Sequence, residues 1–221
     1  MIKIAISTNK NFYKLSLPIV VPSLLEAGID AKDIFVFNSG FDEFNMEIID
    51  GITHYYLEHN SYEYGPLIEI CEKKLTSEYW FLIHDTCKVG PRFKELLNNI
   101  PEDKPKKLSL KTSPSMSIGL YRYDYLLTLK DKLLSIKNTD YSPQSMMSWK
   151  KWGVHNEDFI MWKSEPNPII CNNNNHWEIV DYENWFNTET IRRTEYYPSL
   201  DLYKNKSNWG QTNGGDMILN I

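Results

Sequence analysis

Apolar positions along the chain fall into short runs that end in polar clusters, and the intervals between them carry apolar residues at helical spacing. Lys3 to Ser7 reads as a buried strand, and Thr8-Asn9-Lys10-Asn11 supplies a loop and a helix N-cap. The pattern from Leu15 to Ala27 predicts a helix that contains Pro18 and Pro22 and closes at Gly28 as a C-cap. Asp33 to Phe37 is a second β-rich run, ended by Asn38-Ser39-Gly40, and strand, helix, strand with short links predicts a parallel βαβ unit. Ile52 to Glu58 reads as the next strand, followed by the turn His59-Asn60-Ser61. Leu67, Ile68, Cys71 and Leu75 then place one apolar face on a helix from about Tyr64 to Leu75. Tyr79 to Ile83 is a buried strand that ends abruptly in His84-Asp85-Thr86, and Phe93 to Leu97 reads as a short helix.

A lysine-rich turn from Pro101 to Lys107 separates this regular half from a less regular one. There Met116 to Leu120 reads as a strand, Tyr123 to Ile136 as a helix, and Ser145 to Trp152 as a helical or loop segment rich in Met and Trp. We expect one α/β domain over residues 1–221, with a mostly parallel central sheet flanked by helices. About residues 1–100 form a nucleotide-binding half, and about 101–221 an acceptor-facing half and tail.

Composition narrows the function classes. At 221 residues, with 42% hydrophobic and 24% charged residues, the chain has the make-up of a globular domain able to bury a sizeable core. A net charge of −5 offers no broad attraction for nucleic acid, whose phosphates need clustered Lys and Arg. Cys71, Cys87 and Cys171 are odd in number and far apart, so neither a disulfide framework nor a Cys-x-x-Cys metal site is expected. No run reaches the length of a membrane span and no signal peptide is recognisable at Met1, so a cytoplasmic location is expected.

The first half places three strand ends, Ser7-Thr8-Asn9, Asn38-Ser39-Gly40 and His84-Asp85-Thr86, at the carboxyl edge of a parallel sheet, where open α/β sheets bind ligands. Over about residues 2 to 90 this order resembles the GT-A glycosyltransferase fold, in particular the large inverting family of polysaccharide-synthase type. The resemblance implies that Thr8 and Asn9, then Asn38 and Ser39, then Asn60 and Gly65 border a nucleoside-diphosphate sugar, with UDP or GDP as the nucleotide. It implies that Asp85, beside His84, stands where an Asp-x-Asp pair holds Mn²⁺ or Mg²⁺. The pair is incomplete: Cys87 stands at the second position if Asp85 is the first member, Ile83 at the first if Asp85 is the second, and a hard cation is then left with one carboxylate plus ligand phosphates. Asn38-Ser39-Gly40 is also an ordinary turn sequence, and both readings stand.

In the second half the resemblance assigns the general base to the pair Glu157-Asp158, with Asp158 preferred, although acids also suit the first turn of a helix. Arg122, in Tyr121-Arg122-Tyr123-Asp124, either holds a phosphate or sugar hydroxyl or pairs with Asp124. His176 lies where some GT-A enzymes place a further metal ligand, and Arg192 and Arg193 are candidates for a diphosphate contact. Trp149, Trp152, Trp162 and Trp177 suit sugar stacking, and equally a core. No Gly-x-Ser-x-Gly elbow, phosphate loop or dinucleotide fingerprint is present. The expected function is transfer of a sugar from a nucleoside-diphosphate donor to a glycan or other hydroxyl acceptor, with inversion. The alternatives are a non-catalytic carbohydrate- or nucleotide-binding protein on the same fold, and an unrelated metal enzyme built on Asp85, His84, Asp158 and His176.

Overall fold

The computed structural model describes residues 1–100, 106–111, 118–140, 148, 169–171, 178–180 and 191–207. The elements run β1 (Ile2–Asn9), α1 (Tyr13–Glu26), β2 (Ile34–Ser39), β3 (Asn45–Ile49), β4 (Ile52–Leu57), α2 (Tyr64–Glu72), β5 (Tyr79–His84), β6 (Cys87–Val89) and α3 (Phe93–Asn99). They continue as β7 (Lys107–Lys111), β8 (Gly119–Arg122), α4 (Tyr123–Thr128), α5 (Lys130–Ser135), β9 (Ile169–Cys171), β10 (Glu178–Val180), β11 (Ile191–Tyr197) and β12 (Leu202–Ser207).

The larger sheet has the order β3-β4-β2-β1-β5-β8-β7-β9. Its centre, β4-β2-β1-β5, is parallel as the sequence leads one to expect, whereas β3 and β8 join it antiparallel, so the whole sheet is mixed. Every residue of β2 is buried, the mark of a strand covered on both faces. One face packs Ile4, Ile6, Val36, Phe81 and Ile83 against α1 and α3, and the other packs Ala5, Phe37, Leu57, Trp80 and Leu82 against α2, α4 and α5. This alternation is the two-residue period of a strand.

Helix α1 tolerates its two prolines because Pro18 and Pro22, one turn apart, both face solvent, where the lost N–H leaves a carbonyl that water reaches. Its buried stripe contains Ser16 and Ser23 among the apolar residues. The expected side-chain N-cap is absent. The strand runs on to Asn9, whose Oδ1 accepts the backbone N–H of Asn11 (2.9 Å), and the helix starts only at Tyr13. At the other end Gly28 is the predicted cap, with φ of +86° and Ile29 N–H donating to Leu24 O at 3.0 Å. The helix expected over Tyr64 to Leu75 stops at Glu72, since Lys74 adopts φ of +54° and Leu75 N–H closes back on Ile70 O (3.0 Å). The helix expected over Tyr123 to Ile136 is two short ones. Thr128 Oγ1 donates to Tyr125 O (2.7 Å) and Leu129 N–H to Leu126 O (3.0 Å), which tightens the chain at the junction.

A second, antiparallel sheet has the order β10-β11-β12-β6. Because β6 begins just after Asp85 and Thr86, this sheet is attached to the end of β5, and Asn205 N–H donates to Thr86 O at 2.9 Å. No helix among the described residues is long and apolar enough to cross a membrane.

Candidate functional site

The chain runs outward from β1 through β2 to β4, then returns to β5 on the other side of β1. The switch point of the topology therefore lies at the carboxyl ends of β1 and β5, where open α/β sheets form the crevice that takes ligands. Strand register brings the predicted residues together there: Thr8 is level with Asn38, Asn9 with Ser39, and Ser7 with His84.

Asp85 sits in this crevice, 8% exposed. Its Oδ2 accepts from Thr8 Oγ1 at 2.5 Å and from Ser16 Oγ at 3.0 Å, and its backbone N–H donates to Ser7 O at 3.2 Å. Burial pushes the Asp85 carboxyl up to about 6, against the pull of those two hydroxyl donors and of the Lys204 charge. Ser16 explains why a polar residue stands in the buried stripe of α1. His84 faces two charged groups: Lys204 Nζ lies 3.4 Å from its Nδ1, and Glu63 Oε1 lies 3.6 Å from its Nε2.

The end of β2 is different in kind. Asn38 and Ser39 are buried, and the Asn38 amide donates to Tyr55 O at 3.2 Å. Asn38 Oδ1 and Ser39 Oγ have no hydrogen-bond partner among the described residues. Buried polar atoms without partners are rare, and a pair at one strand end calls for a polar ligand or ordered water. Two glycines keep the space open. Gly40 turns with φ of +85°, and a Cβ there would stand 3.6 Å from Asn60 Nδ2. A Cβ on Gly65 would stand 3.0 Å from Ser39 Oγ. Asn60 is held by exchange with Asn138, its N–H donating to Asn138 O at 2.9 Å and its O accepting from Asn138 Nδ2 at 3.2 Å.

Behind this edge lies a buried group that the sequence did not announce. His59 Nδ1 is 2.9 Å from Ser61 Oγ, and His59 Nε2 is 3.1 Å from Glu69 Oε1, which Lys137 Nζ approaches at 3.4 Å. Burial opposes the Glu69 charge, but the His59 hydrogen bond and the Lys137 ammonium outweigh it and hold the carboxyl below its ordinary value. The order Ser, His, Glu is that of a hydrolase triad. Here Ser61 is fully buried and accepts the Asn138 backbone N–H at 2.9 Å, so the group braces the Asn60 turn instead.

The structure does not bring Arg122 to the site. Arg122 is level with Tyr79, at the opposite end of β5 from His84, and its Nε donates to Asp124 at 2.6 Å, the pairing that the sequence left as the other reading. Glu157, Asp158 and His176 lie outside the described residues, as do Trp149, Trp152, Trp162 and Trp177, and of Arg192 and Arg193 only the backbone, in β11, is described. Both candidate partners of Asp85 for a metal are unsuitable: Ile83 and Cys87 are fully buried in the apolar core. Among the described residues no group of three or more His, Cys, Asp or Glu side chains is placed to hold a metal ion. Among the described residues the end of β5 offers the Asp85 carboxylate, already accepting from two hydroxyls, with Glu63 beyond His84, while His176, the other expected metal ligand, lies outside them.

Ser16, Glu63 and Lys204 are the site residues that sequence reasoning missed. Ser16 left a trace, as a polar residue at a helical position facing inward; Lys204 left none. No protein-family model and no curated protein sequence matches the chain. Among solved structures it is similar to a glycosyltransferase involved in the glycosylation of the major capsid of PBCV-1. The likeness has 12% sequence identity and a TM-score of 0.40, over 76% of this chain and 80% of that one. At that level it bears on neither substrate nor mechanism.

Proposed function

We propose that the chain binds a nucleoside diphosphate sugar, with UDP or GDP as the nucleotide, at the edge formed by Thr8, Asn38, Ser39 and Asp85, and transfers the sugar to a hydroxyl acceptor. The observation that carries this reading is the pair of unpartnered buried atoms, Asn38 Oδ1 and Ser39 Oγ, beside the crevice of β1 and β5. They offer an acceptor and a hydroxyl to the edge of a base or ribose, while the β5 end meets the phosphates. Asp158 is the proposed base, with Glu157 beside it: it takes the proton of the attacking hydroxyl as that oxygen displaces the diphosphate from the anomeric carbon, which inverts the configuration there.

Calorimetry with UDP, GDP and their sugars tests the binding half, and absence of binding to all of them would end the proposal. Asp158→Asn tests the chemistry: turnover should fall on the order of 10²- to 10⁴-fold with donor affinity nearly intact. A second reading, a non-catalytic binding protein, is favoured by one observation: the Asp85 carboxylate is committed to Thr8 and Ser16. Donor binding with neither transfer nor donor hydrolysis would select it.

A further inference from the structure

Lys204 is a buried lysine, 7% exposed, from a strand remote in sequence. Its position is fixed by register. Lys204 pairs with Cys87 across β12 and β6, and Asn205, next in the strand, is tied to Thr86 O (2.9 Å) and to Thr194 Oγ1 (2.8 Å). The pairing of Lys204 itself and the bonds of the next residue place its ammonium at the carboxyl end of β5. There its hydrogen bond is to His84 Nδ1 at 3.4 Å, and its charge acts on Asp85. An ammonium has three N–H donors and no acceptor, and burying it is unfavourable unless acceptors surround it. One long bond to an imidazole uses one of those three donors, and the neighbouring Asp85 carboxylate is already held by two hydroxyls.

We propose that Lys204 supplies, from the second sheet, the positive charge that the incomplete acidic strand end does not gather as a metal ion, and that phosphate oxygens bind at this edge without a divalent cation. The inference rests on the proposed use of this edge for a diphosphate, and adds to it the group that holds the diphosphate. Lys204 donates to the phosphate oxygens; His84 accepts from Lys204 through Nδ1 and so carries its proton on Nε2, towards Glu63. A metal would meet the Lys204 charge in the same space, so ammonium and divalent cation are alternatives here.

The test is calorimetric titration of UDP, GDP and inorganic pyrophosphate, each in EDTA and in Mn²⁺, with wild type, Lys204→Met and Lys204→Arg. The expected result is wild-type binding in EDTA that Mn²⁺ does not strengthen. Lys204→Met should weaken it at least tenfold, and Lys204→Arg should restore part of the loss. Binding that requires Mn²⁺ would overturn the inference while leaving the diphosphate reading intact. A folded Lys204→Met protein, judged by its thermal melt, that binds as wild type would overturn it too. Pyrophosphate binding in EDTA without nucleotide binding keeps Lys204 and removes the nucleoside. No binding of any of the three probes removes both readings. The comparison of EDTA with Mn²⁺ uses wild type alone, so it decides the matter even if Lys204→Met does not fold.

Discussion

Replacing Asp85 by Asn should stabilise the protein at neutral pH, which is the reverse of what removing a doubly hydrogen-bonded side chain ordinarily does. The cause is burial. The folded state raises the carboxyl from 3.8 to about 6, a difference of about two units, so ionising Asp85 in the fold is disfavoured by on the order of 3 kcal/mol. The sign follows from proton binding: the folded state holds the proton more tightly than the unfolded chain, so this contribution to stability is full below about pH 4 and is lost as pH rises through about 6. Asn cannot ionise, keeps the size, and still presents an oxygen to Thr8 and Ser16. The strengthening that a charged acceptor gives those two bonds is already contained in the value of about 6, so the net gain at pH 7.5 is on the order of 3 kcal/mol. For a chain of this length that is roughly 2 to 4 °C in melting temperature per kcal/mol. Thermal melts of both proteins from pH 4 to pH 7.5 give the answer as a difference, in which the other carboxyls cancel. The difference should be small at pH 4 and grow in favour of Asp85→Asn. An Asn variant that is less stable than wild type at pH 7.5, or a difference that does not change with pH, refutes the reasoning. A group that destabilises the fold where it stands, in the crevice of β1 and β5, is what a site retained for binding looks like.

Two further outcomes follow from the same edge. Ser39→Ala removes a buried hydroxyl that has no partner among the described residues, so melting temperature should be unchanged or raised by a few degrees. UDP or GDP affinity should fall several-fold in the same variant, and an unchanged affinity by calorimetry would take Ser39 out of the site. Glu69→Gln removes the carboxylate that His59 and Lys137 share, and should destabilise by about 3 kcal/mol at pH 7 in urea unfolding. Since the Glu69 carboxyl is held below its ordinary value, its contribution is present at neutral pH and lost on acidification below about pH 4.5, opposite in direction to Asp85. A gap between wild type and Glu69→Gln that does not narrow at all as pH falls below 4.5 would mean that the charge is not the reason.

The regular half of the fold was legible because its signals are local. The period of the apolar runs set β1, β2, β4 and β5, and their parallel connection set the edge at which Thr8, Asn38 and Asp85 meet. A local signal was also passed over: Ile49-Asp50-Gly51-Ile52 is a hairpin sequence, and Asp50 and Gly51 turn β3 into β4 with φ of +51° and +83°. β3 alternates nothing, since all five of its residues are exposed, and so it left no periodic trace. Arg122 misled for a different reason. A strand that pairs antiparallel with β5 carries its last residue to the amino end of that strand, and the direction of β8 is not written in its own four residues. Lys204 is the extreme case, for its place depends on β12 pairing with β6 across more than a hundred residues, and nothing in its neighbourhood marks it.

That dependence bears on how the site is made. β6 is three residues long and continues from Asp85 through Thr86, so the second sheet begins where the crevice lies. A slip of one residue between β12 and β6 would turn Lys204 to the other face and present Tyr203 or Asn205 to His84. The register is held by features that would otherwise be odd in a short surface sheet. Asn205 N–H donates to Thr86 O beside β6, Thr194 Oγ1 ties the same Asn205 to β11, and Asp201, with φ of +50°, accepts from Arg92 N–H at 3.0 Å and from Tyr196 OH at 3.0 Å. Gly90 lies so close to the Asp201 carboxylate that a Cβ there would stand 2.3 Å from Oδ2. Each of these polar contacts is more specific than the apolar packing of Tyr197, Leu200 and Leu202 beneath them, which would tolerate a shifted strand. A sheet whose sole task was to cover the core would not need its register fixed at so many points. One that carries a charge to a crevice does, because an ammonium displaced by one residue is lost to the site.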